Sequence, residues 1–194
     1  MAATLGVVAD LKVPTMSVRE SFLGAVTEFR DEGRAGPGDE SWLGEEIHRF
    51  GQHWSSPSGF AGYVAWLIDQ AAEDSPRRER FVPATTLWWI QDETYLGRIA
   101  IRHRLTPGLR EVGGHIGYDI RPSARGRGHA TAMLRAALPV AADLGIEKAL
   151  LTCDALNVAS RKVIERNGGV QDDQRGEKLR FWAPTGRPVP TDAG

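Results

Sequence analysis

The segment Arg121-Pro-Ser-Ala-Arg-Gly-Arg-Gly-His-Ala130 decides the fold class of this chain. A short apolar stretch before it ends at Ile120, and an amphipathic helical pattern begins at Ala130. Backbone amides at the start of a helix have no partner inside the helix, and the helix dipole there favours negative charge. Gly126 and Gly128 let the backbone approach an anion closely. The segment therefore predicts a phosphate-binding loop between a strand and a helix.

Two widespread phosphate-binding motifs do not fit this segment. A Walker loop ends in Gly-Lys followed by Ser or Thr, and that ending is missing from the sequence. The dinucleotide-binding fingerprint needs a third glycine at the position of Thr131. An ordinary strand–turn–helix connection, which uses glycine for its turn geometry, stays open as the alternative.

The sequence on both sides of the loop alternates between strand and helix patterns. Short runs rich in β-branched and aromatic residues predict strands, and apolar residues at helical spacing predict helices. The predicted strands are 85–90, 95–103, 115–120, 149–153, 170–174 and 179–182, and the predicted helices are 17–33, 42–48, 61–73, 130–144 and 157–167. This order predicts an α/β (α+β mixed) protein whose sheet carries helices on both faces.

The composition excludes several function classes. The 194 residues are 41% apolar and 25% charged, which suffices for one packed core. A single cysteine excludes a disulfide framework, and the five histidines lack helical metal-ligand spacing, so we predict no metal. The net charge of −1 excludes a strongly basic nucleic-acid binder, and no apolar run is long enough to span a membrane. We expect a cytoplasmic protein with neither nucleic acid nor membrane as a partner.

Basic side chains are concentrated around the loop. Residues 1–83 carry 8 basic and 13 acidic side chains, whereas residues 84–194 carry 16 basic and 12 acidic ones. Eight arginines but only two acids lie between Arg98 and Arg135, and Arg125 and Arg127 add positive charge to the loop itself. This charge suits an anionic ligand, with a solvated basic face as the alternative.

The loop and its context resemble those of the GNAT N-acetyltransferases. The pattern Arg125-x-x-Gly128-x-Ala130 matches the Gln/Arg-x-x-Gly-x-Gly/Ala loop of the family. A long helix, a buried strand and Asn157-x-x-Ser160 at the start of the next helix follow in the same order. The resemblance covers residues 85–182 well and residues 1–84 loosely. It implies the GNAT-type acyl-CoA N-acyltransferase fold, with a central twisted, mostly antiparallel mixed sheet and helices on both faces.

The resemblance also implies how the chain is organised. We expect a single GNAT domain over residues 1–194, in which residues 1–84 form a helical part on the acceptor side. Residues 85–184 are then the acetyl-CoA-binding core, and residues 185–194 a loose Pro/Gly-rich tail. Homodimers are common on this fold, although no segment of this sequence specifies an interface.

In the family, backbone amides of the loop hold the pyrophosphate of acetyl-CoA. This role carries over to Arg125, Gly126, Arg127, Gly128, His129 and Ala130. The strand before the loop binds the pantetheine arm through its backbone, which carries over to Ile120 and Arg121. Asn157 matches a family asparagine near the pantetheine, and it also suits a helix N-cap. Ser160 is either a further cofactor contact or a surface hydroxyl.

Coenzyme A leaves the reaction as a thiolate and needs a proton. Many family members supply it from a tyrosine seven positions after the asparagine, where this chain has Ile164. Cys153, at the end of a predicted buried strand, is a candidate replacement, with a small buried hydrophobe as the alternative. Ser160 and solvent are the other candidates.

The attacking amine must lose a proton to a general base or to a chain of water molecules. Family members often place a carboxylate on the strand before the loop or on its neighbour, and His115, Asp119 and Glu111 are the candidates here. A histidine there titrates near neutral pH. The alternatives are a strand-edge histidine for His115 and an ion pair with a nearby arginine for Asp119.

The acceptor is the substrate about which the sequence says least. The acidic N-terminal part contains Trp42, Trp54, Phe60 and Trp66, and acids with aromatic side chains suit a cationic amine. Core packing is the alternative for Trp42 and Trp66. We expect an acetyltransferase that moves the acetyl group of acetyl-CoA directly to a primary amine of a small molecule, aminoglycoside-like or amino-acid-like. The alternatives are a protein N-terminal or lysine acetyltransferase and a catalytically silent acetyl-CoA-binding module.

Overall fold

The computed structural model describes residues 8–34, 36, 39, 41–77 and 81–186. The strands are β1 (Asp10–Lys12), β2 (Ala84–Gln91), β3 (Thr94–Arg102), β4 (Ile116–Ile120), β5 (Lys148–Asp154), β6 (Val170–Arg175) and β7 (Lys178–Pro184). The helices are α1 (Arg19–Asp31), α2 (Trp42–Phe50), α3 (Pro57–Asp69), α4 (Pro107–Glu111), α5 (His129–Asp143) and α6 (Val158–Glu165). The loose tail expected from the sequence lies outside the described residues from residue 187 onward.

The predicted succession of strands and helices is confirmed, with shifts at some ends. The largest shift concerns α3, which begins at Pro57 because Ser56 caps it, its hydroxyl accepting from the Gly59 amide at 3.0 Å. The short strand β1 and the single-turn helix α4 were not predicted. Within the described residues, no helix is both long and apolar enough to cross a membrane.

The strands of the described chain lie in two antiparallel sheets, with orders β1-β2-β3-β4 and β5-β7-β6. The two sheets are joined at His115, just before β4. The His115 amide donates to the Leu150 carbonyl of β5 at 2.7 Å. Past this point the described residues of β4 and β5 form no strand pairing, and a gap separates them. The predicted mixed fold class is confirmed, and the gap divides its sheet in two.

Two hydrophobic cores cover the two faces of the β1–β4 sheet. The first, which we call the α5 core, contains the apolar face of α5, with Met133 and Leu134 fully buried against Ile99. The second, which we call the α1 core, contains α1, α2 and α3, where the Phe22 ring lies 5.3 Å from that of Trp88. The sheet is therefore buried on both sides.

Burial on both sides explains the adjacent tryptophans of β2. Trp88 belongs to the α1 core and Trp89 to the α5 core, with exposures of only 0% and 5%. Both adjacent side chains lie in a core because each face of the sheet has its own layer of helices. Trp54 and Phe60 are also buried in the α1 core, so they are packing residues and not part of an acceptor site.

Candidate active site

The loop before α5 presents a row of free backbone amides. Gly126 and Gly128 have φ angles of 75° and 83°, a left-handed conformation that costs glycine little. A Cβ at either position would meet no atom within 4 Å, so the space beside the loop is open. Within the described chain, none of the amides of residues 126–130 donates a hydrogen bond. Such amides at a helix N-terminus form an anion-binding site.

Two arginines flanking this loop are bound to α1. Arg125 forms a two-point ion pair with Glu32, with N···O distances of 2.6 and 2.8 Å. Arg121 pairs with Glu28 and donates to the Ser21 hydroxyl at 3.1 Å. The charge of Arg125, which the sequence assigns to the anion site, is therefore paired with Glu32. The Arg125 amide, predicted to bind the pyrophosphate, already donates to the Pro122 carbonyl at 3.2 Å.

Backbone groups of β4 alternate between β3 and the gap. The Arg121 amide donates to the Leu96 carbonyl at 2.9 Å, and the Arg121 carbonyl accepts from the Ala124 amide at 2.9 Å. The prediction that Arg121 binds the pantetheine arm through its backbone is therefore wrong. Hydrogen-bonding directions alternate along an antiparallel strand, so Tyr118 and Ile120 present their backbone groups to the gap.

A cavity of about 230 Å³ occupies the gap between β4 and β5. Gly117 and Tyr118 line it from β4, Cys153 from β5, and Asn157 and Ser160 from the start of α6. Asn157 is the N-cap of α6, since its Oδ1 accepts from the Ser160 amide at 3.0 Å. Three of the residues predicted for the site are thus brought together in one cavity.

Tyr118 is a candidate functional residue that the sequence reasoning missed. Its hydroxyl lies 2.8 Å from the Ser160 hydroxyl, inside the gap. Burial raises the pKa of Tyr118 to about 12, and burial also raises the pKa of Cys153 beside it. Tyr118 is therefore protonated at neutral pH. Ile164, where the family often has its tyrosine, is a fully buried core residue.

His115 connects the two sheets. Its Nδ1 accepts a hydrogen bond from the Leu150 amide at 2.9 Å. Burial, together with the charges of Arg110 and Arg102, lowers the pKa of His115 to about 4. The imidazole is then neutral near pH 7 and weakly basic, so this geometry favours a structural role over that of a general base.

Asp119 and Glu111 are both held in ion pairs. Asp119 Oδ1 accepts from the Arg34 guanidinium at 2.7 Å, beside the end of α1. Glu111 pairs with Arg175 at the protein surface. The ion-pair alternative considered for Asp119 is the arrangement observed.

A second, larger cavity of about 550 Å³ lies between α2, α3 and the sheet. Its charged lining residues are Glu45, Glu46, Arg49, Arg77 and Arg102, and its aromatic ones are Trp42, Trp66 and Phe81. Trp42 and Trp66 are only partly buried and both line this cavity, while Trp66 also packs against the core of α1, α2 and α3. Arg102 and Gly113 line both cavities, which places the two side by side. We call this larger space the acceptor cavity, after the role that we propose for it.

A buried ion pair forms the floor of the acceptor cavity. Arg98 pairs with Glu46, and their side chains are 1% and 2% exposed. The Tyr63 hydroxyl donates to the same Glu46 oxygen at 2.6 Å, and the Arg98 guanidinium lies 4.6 Å from the Trp42 ring centre. The other carboxylate oxygen of Glu46 is buried without a hydrogen-bond partner in the described chain.

Among the described residues, no three His, Cys, Asp or Glu side chains are grouped in a way that could hold a metal ion. His129 lies at the start of α5, where its Nδ1 accepts from the Trp89 indole at 3.2 Å.

Parted strands beside an amide-lined helix N-terminus form a site for an extended ligand with an anionic end. A sequence model described as the acetyltransferase (GNAT) domain matches residues 40–170, more than half of the chain. The chain belongs to the GNAT acetyltransferase family, and it is an acetyltransferase that takes its acetyl group from acetyl-CoA. Among curated protein sequences, none matches the chain significantly.

Solved acetyltransferase structures share the fold at low sequence identity. MccE, the microcin C7 self-immunity acetyltransferase solved with acetyl-CoA and AMP, is 12% identical, with 91% of this chain and 92% of that chain covered and a TM-score of 0.59. RimL, a ribosomal L7/L12 α-N-protein acetyltransferase solved with coenzyme A, is 16% identical, with 94% and 95% covered and a TM-score of 0.58. The ribosomal-protein-S5-alanine acetyltransferase of Vibrio fischeri is 13% identical, with 94% and 96% covered and a TM-score of 0.58. These similarities establish the fold and leave the acceptor open.

Proposed function

We propose that this enzyme acetylates a primary amine of a small molecule that binds in the acceptor cavity. The observation that carries the proposal is the junction at Arg102 and Gly113, which line both cavities. A donor in the gap and an amine in the acceptor cavity can meet there. The volume of about 550 Å³ lies within the usual range for small-molecule sites.

On this proposal the loop and the gap hold the two ends of acetyl-CoA. The free amides of residues 126–130 bind the pyrophosphate, with the charge of Arg127 nearby. Ile120 and Tyr118 offer backbone groups to the pantetheine arm along the open edge of β4. Asn157 and Ser160 lie on the opposite side of the gap. The open space beside both loop glycines is what a bound pyrophosphate requires.

Bound acetyl-CoA supplies a thioester, from which acetyl transfer forms a C–N bond and breaks the C–S bond. The amine loses one proton, and the departing sulfur gains one. We assign the proton donor to Tyr118, because its hydroxyl lies in the gap and stays protonated at neutral pH. Ser160, 2.8 Å away, orients that hydroxyl, and Cys153 packs beside them.

No side-chain base is assigned for the amine proton. His115 is weakly basic and uses Nδ1 for the Leu150 amide, and Asp119 is paired with Arg34. We assign removal of the amine proton to water in the acceptor cavity. Water suffices as the base when the amine enters the cavity in its neutral form, because only the proton released on attack must then be removed.

The charge of the acceptor cavity favours an amino-acid-like acceptor over an aminoglycoside-like one. Among the described residues, three arginines line it against two glutamates, and one of these, Glu46, is already paired with Arg98. A polycationic aminoglycoside would meet repulsion from the arginines, whereas a small amine with few positive charges would not.

Two measurements test this function. Thermal unfolding with and without saturating acetyl-CoA should show a higher Tm with the ligand. At a ligand concentration of about 100 Kd, binding adds roughly 2.7 kcal/mol to the free energy of unfolding. Release of free thiol should then be measured with a panel of small amines and, in parallel, acetylation of peptides should be followed by mass spectrometry. Turnover of peptides alone would replace the small-molecule proposal with a protein acceptor. An upward Tm shift without any turnover would indicate a silent acetyl-CoA-binding module.

A further inference from the structure

Arg102 carries a charge that no described carboxylate neutralises. It is half-buried at the end of β3, and its Nη1 donates to the Gly113 and Gly114 carbonyls at 3.1 Å each. Burial lowers the pKa of its guanidinium, with no acidic neighbour to offset this effect. By contrast, Arg98, Arg121 and Arg125 each pair with a glutamate.

The position of Arg102 makes it available to a ligand. It lines both the gap and the acceptor cavity, so it stands where the amine must approach the donor. Gly117 of β4 faces it without a side chain, and a Cβ there would lie only 3.7 and 3.8 Å from its two Nη atoms. The cavity wall beside it is aromatic, since the Trp42 ring centre is 5.7 Å from its guanidinium carbon.

A half-buried guanidinium with spare N–H groups is best satisfied by an anion, which it binds through strong charge-assisted hydrogen bonds. The rest of the cavity is suited to a flat apolar group, because Trp42, Trp66 and Phe81 line it.

We propose that the acceptor is an amine that also carries an anionic group, a carboxylate or a phosphate, together with an aromatic part. Arg102 binds the anion at the junction, and the tryptophans pack on the ring. This specificity rests on the proposed function, and it makes Arg102 a specificity-determining residue that contacts the acceptor.

The test uses four amines that share a ring but differ in charge. L-phenylalanine is compared with L-phenylalaninamide, and tyramine O-phosphate with tyramine, so that each anionic probe has a neutral partner. Wild-type enzyme should prefer at least one anionic probe over its partner by about tenfold or more in kcat/KM. The pair with the larger ratio identifies the anion as carboxylate or phosphate.

Variants then assign the preference to a residue. Arg102→Gln should lower kcat/KM for the anionic probes about tenfold more than for their neutral partners, and Arg102→Lys should restore part of the anion preference. Arg104→Gln is the matched control, because Arg104 is an exposed arginine two residues along the chain that pairs with Glu73. It should keep the full preference. Circular dichroism and thermal unfolding show whether each variant is folded.

Three results would overturn the proposal. Equal kcat/KM values of the wild-type enzyme for anionic and neutral amines would show that the site does not recognise the anionic group. An equal loss for all four amines in Arg102→Gln would show that Arg102 acts on the thioester instead. Failure of both anionic probes to bind in the presence of coenzyme A, measured by calorimetry at millimolar concentration, would also exclude it. An upward Tm shift with acetyl-CoA in the same samples separates these results from failure of the proposed function.

Discussion

The proposed donor site and the proposed acceptor site of this enzyme differ in the groups that form them, backbone groups in the first and side chains in the second. On the proposed donor side, the available groups belong to the backbone: the free amides of residues 126–130 and the open edge of β4. On the acceptor side, the cavity is formed by side chains from α2, α3 and β3, above the buried Glu46–Arg98 pair. Backbone groups are common to all residues, so the donor side constrains sequence only where glycine is needed. The acceptor side can change its specificity with each substitution.

This difference predicts that the two sides fail in different ways. Substitutions on the donor side should reduce acetyl-CoA affinity in a stable protein. Substitutions in the floor of the acceptor cavity should reduce stability while leaving donor binding intact in the molecules that remain folded.

The largest effect is expected for Arg98→Met. Removing the guanidinium leaves the Glu46 charge buried without its partner, which typically costs about 3–5 kcal/mol of the free energy of unfolding. Urea unfolding at neutral pH measures this loss. Acetyl-CoA affinity, corrected for the folded fraction, should stay close to that of wild type.

The double variant Glu46→Leu with Arg98→Met is the control for this loss. It removes both charges, so it should regain a large part of the stability lost in the single variant. A single variant within 1 kcal/mol of wild type, or a double variant as unstable as the single one, would contradict a charge-pair origin.

Gly128→Glu is expected to have the next largest effect. It places a carboxylate beside the free amides and reduces acetyl-CoA affinity by roughly 100- to 1,000-fold, measured by calorimetry. Gly145→Glu is the matched control at the opposite end of α5. Gly145 has a φ of 81° and open space like Gly128, so both variants should lose similar stability. Equal acetyl-CoA affinity in the two variants would refute the loop assignment.

Tyr118→Phe tests the proton donor with a smaller change. Loss of the hydroxyl should lower kcat by about 100-fold, at the low end of general acid catalysis, and leave the Kd of acetyl-CoA nearly unchanged. Because the pKa of Tyr118 is raised to about 12, wild-type activity should not fall through deprotonation of Tyr118 below about pH 10. Cys153→Ala, next to it in the gap, should have a much smaller effect on kcat. A larger loss in Cys153→Ala than in Tyr118→Phe would move the proton donor to Cys153.

The same division explains what the sequence could predict. Element order and the glycine loop follow from local spacing, and both are found in the structure. The contact between Tyr118 and Ser160 joins residues 42 positions apart, across a gap that forms only when β4 and β5 separate. No local pattern reports such a contact. A tyrosine beside Asp119 on a predicted strand was the available signal, since alternation puts the two on opposite faces.

The partner of the Arg125 side chain could not be predicted for a similar reason. The sequence places the charge of Arg125 beside the anion site, but its partner Glu32, just after α1, lies 93 residues earlier in the chain. Charge counted along the sequence cannot show which charges are already paired. Arg102, which remains unpaired among the described residues, was not singled out by any motif.

The smallest effect is expected for Glu28→Gln, which weakens the connection between α1 and the loop. Burial would raise the pKa of Glu28, but hydrogen bonds from Arg121 and from the amide and hydroxyl of Ser123 lower it below its ordinary value of 4.5. A lowered carboxyl pKa contributes stability above the ordinary pKa, and this contribution is lost as pH falls through the folded-state value. Wild type should therefore exceed Glu28→Gln by about 1 kcal/mol at neutral pH, with the difference shrinking below pH 4.5.

Urea unfolding from neutral to acidic pH measures this difference between Glu28→Gln and wild type. The control is Glu165→Gln, which removes an exposed i,i+4 pair with Arg161 on α6 and should cost only a few tenths of a kcal/mol. Acetyl-CoA affinity should fall a few-fold in Glu28→Gln alone, because Glu28 also fixes the Ser123 amide, at 2.9 Å, three residues before the loop glycines begin. A stability difference that persists unchanged below pH 4.5 would mean that the charge of Glu28 does not hold the loop.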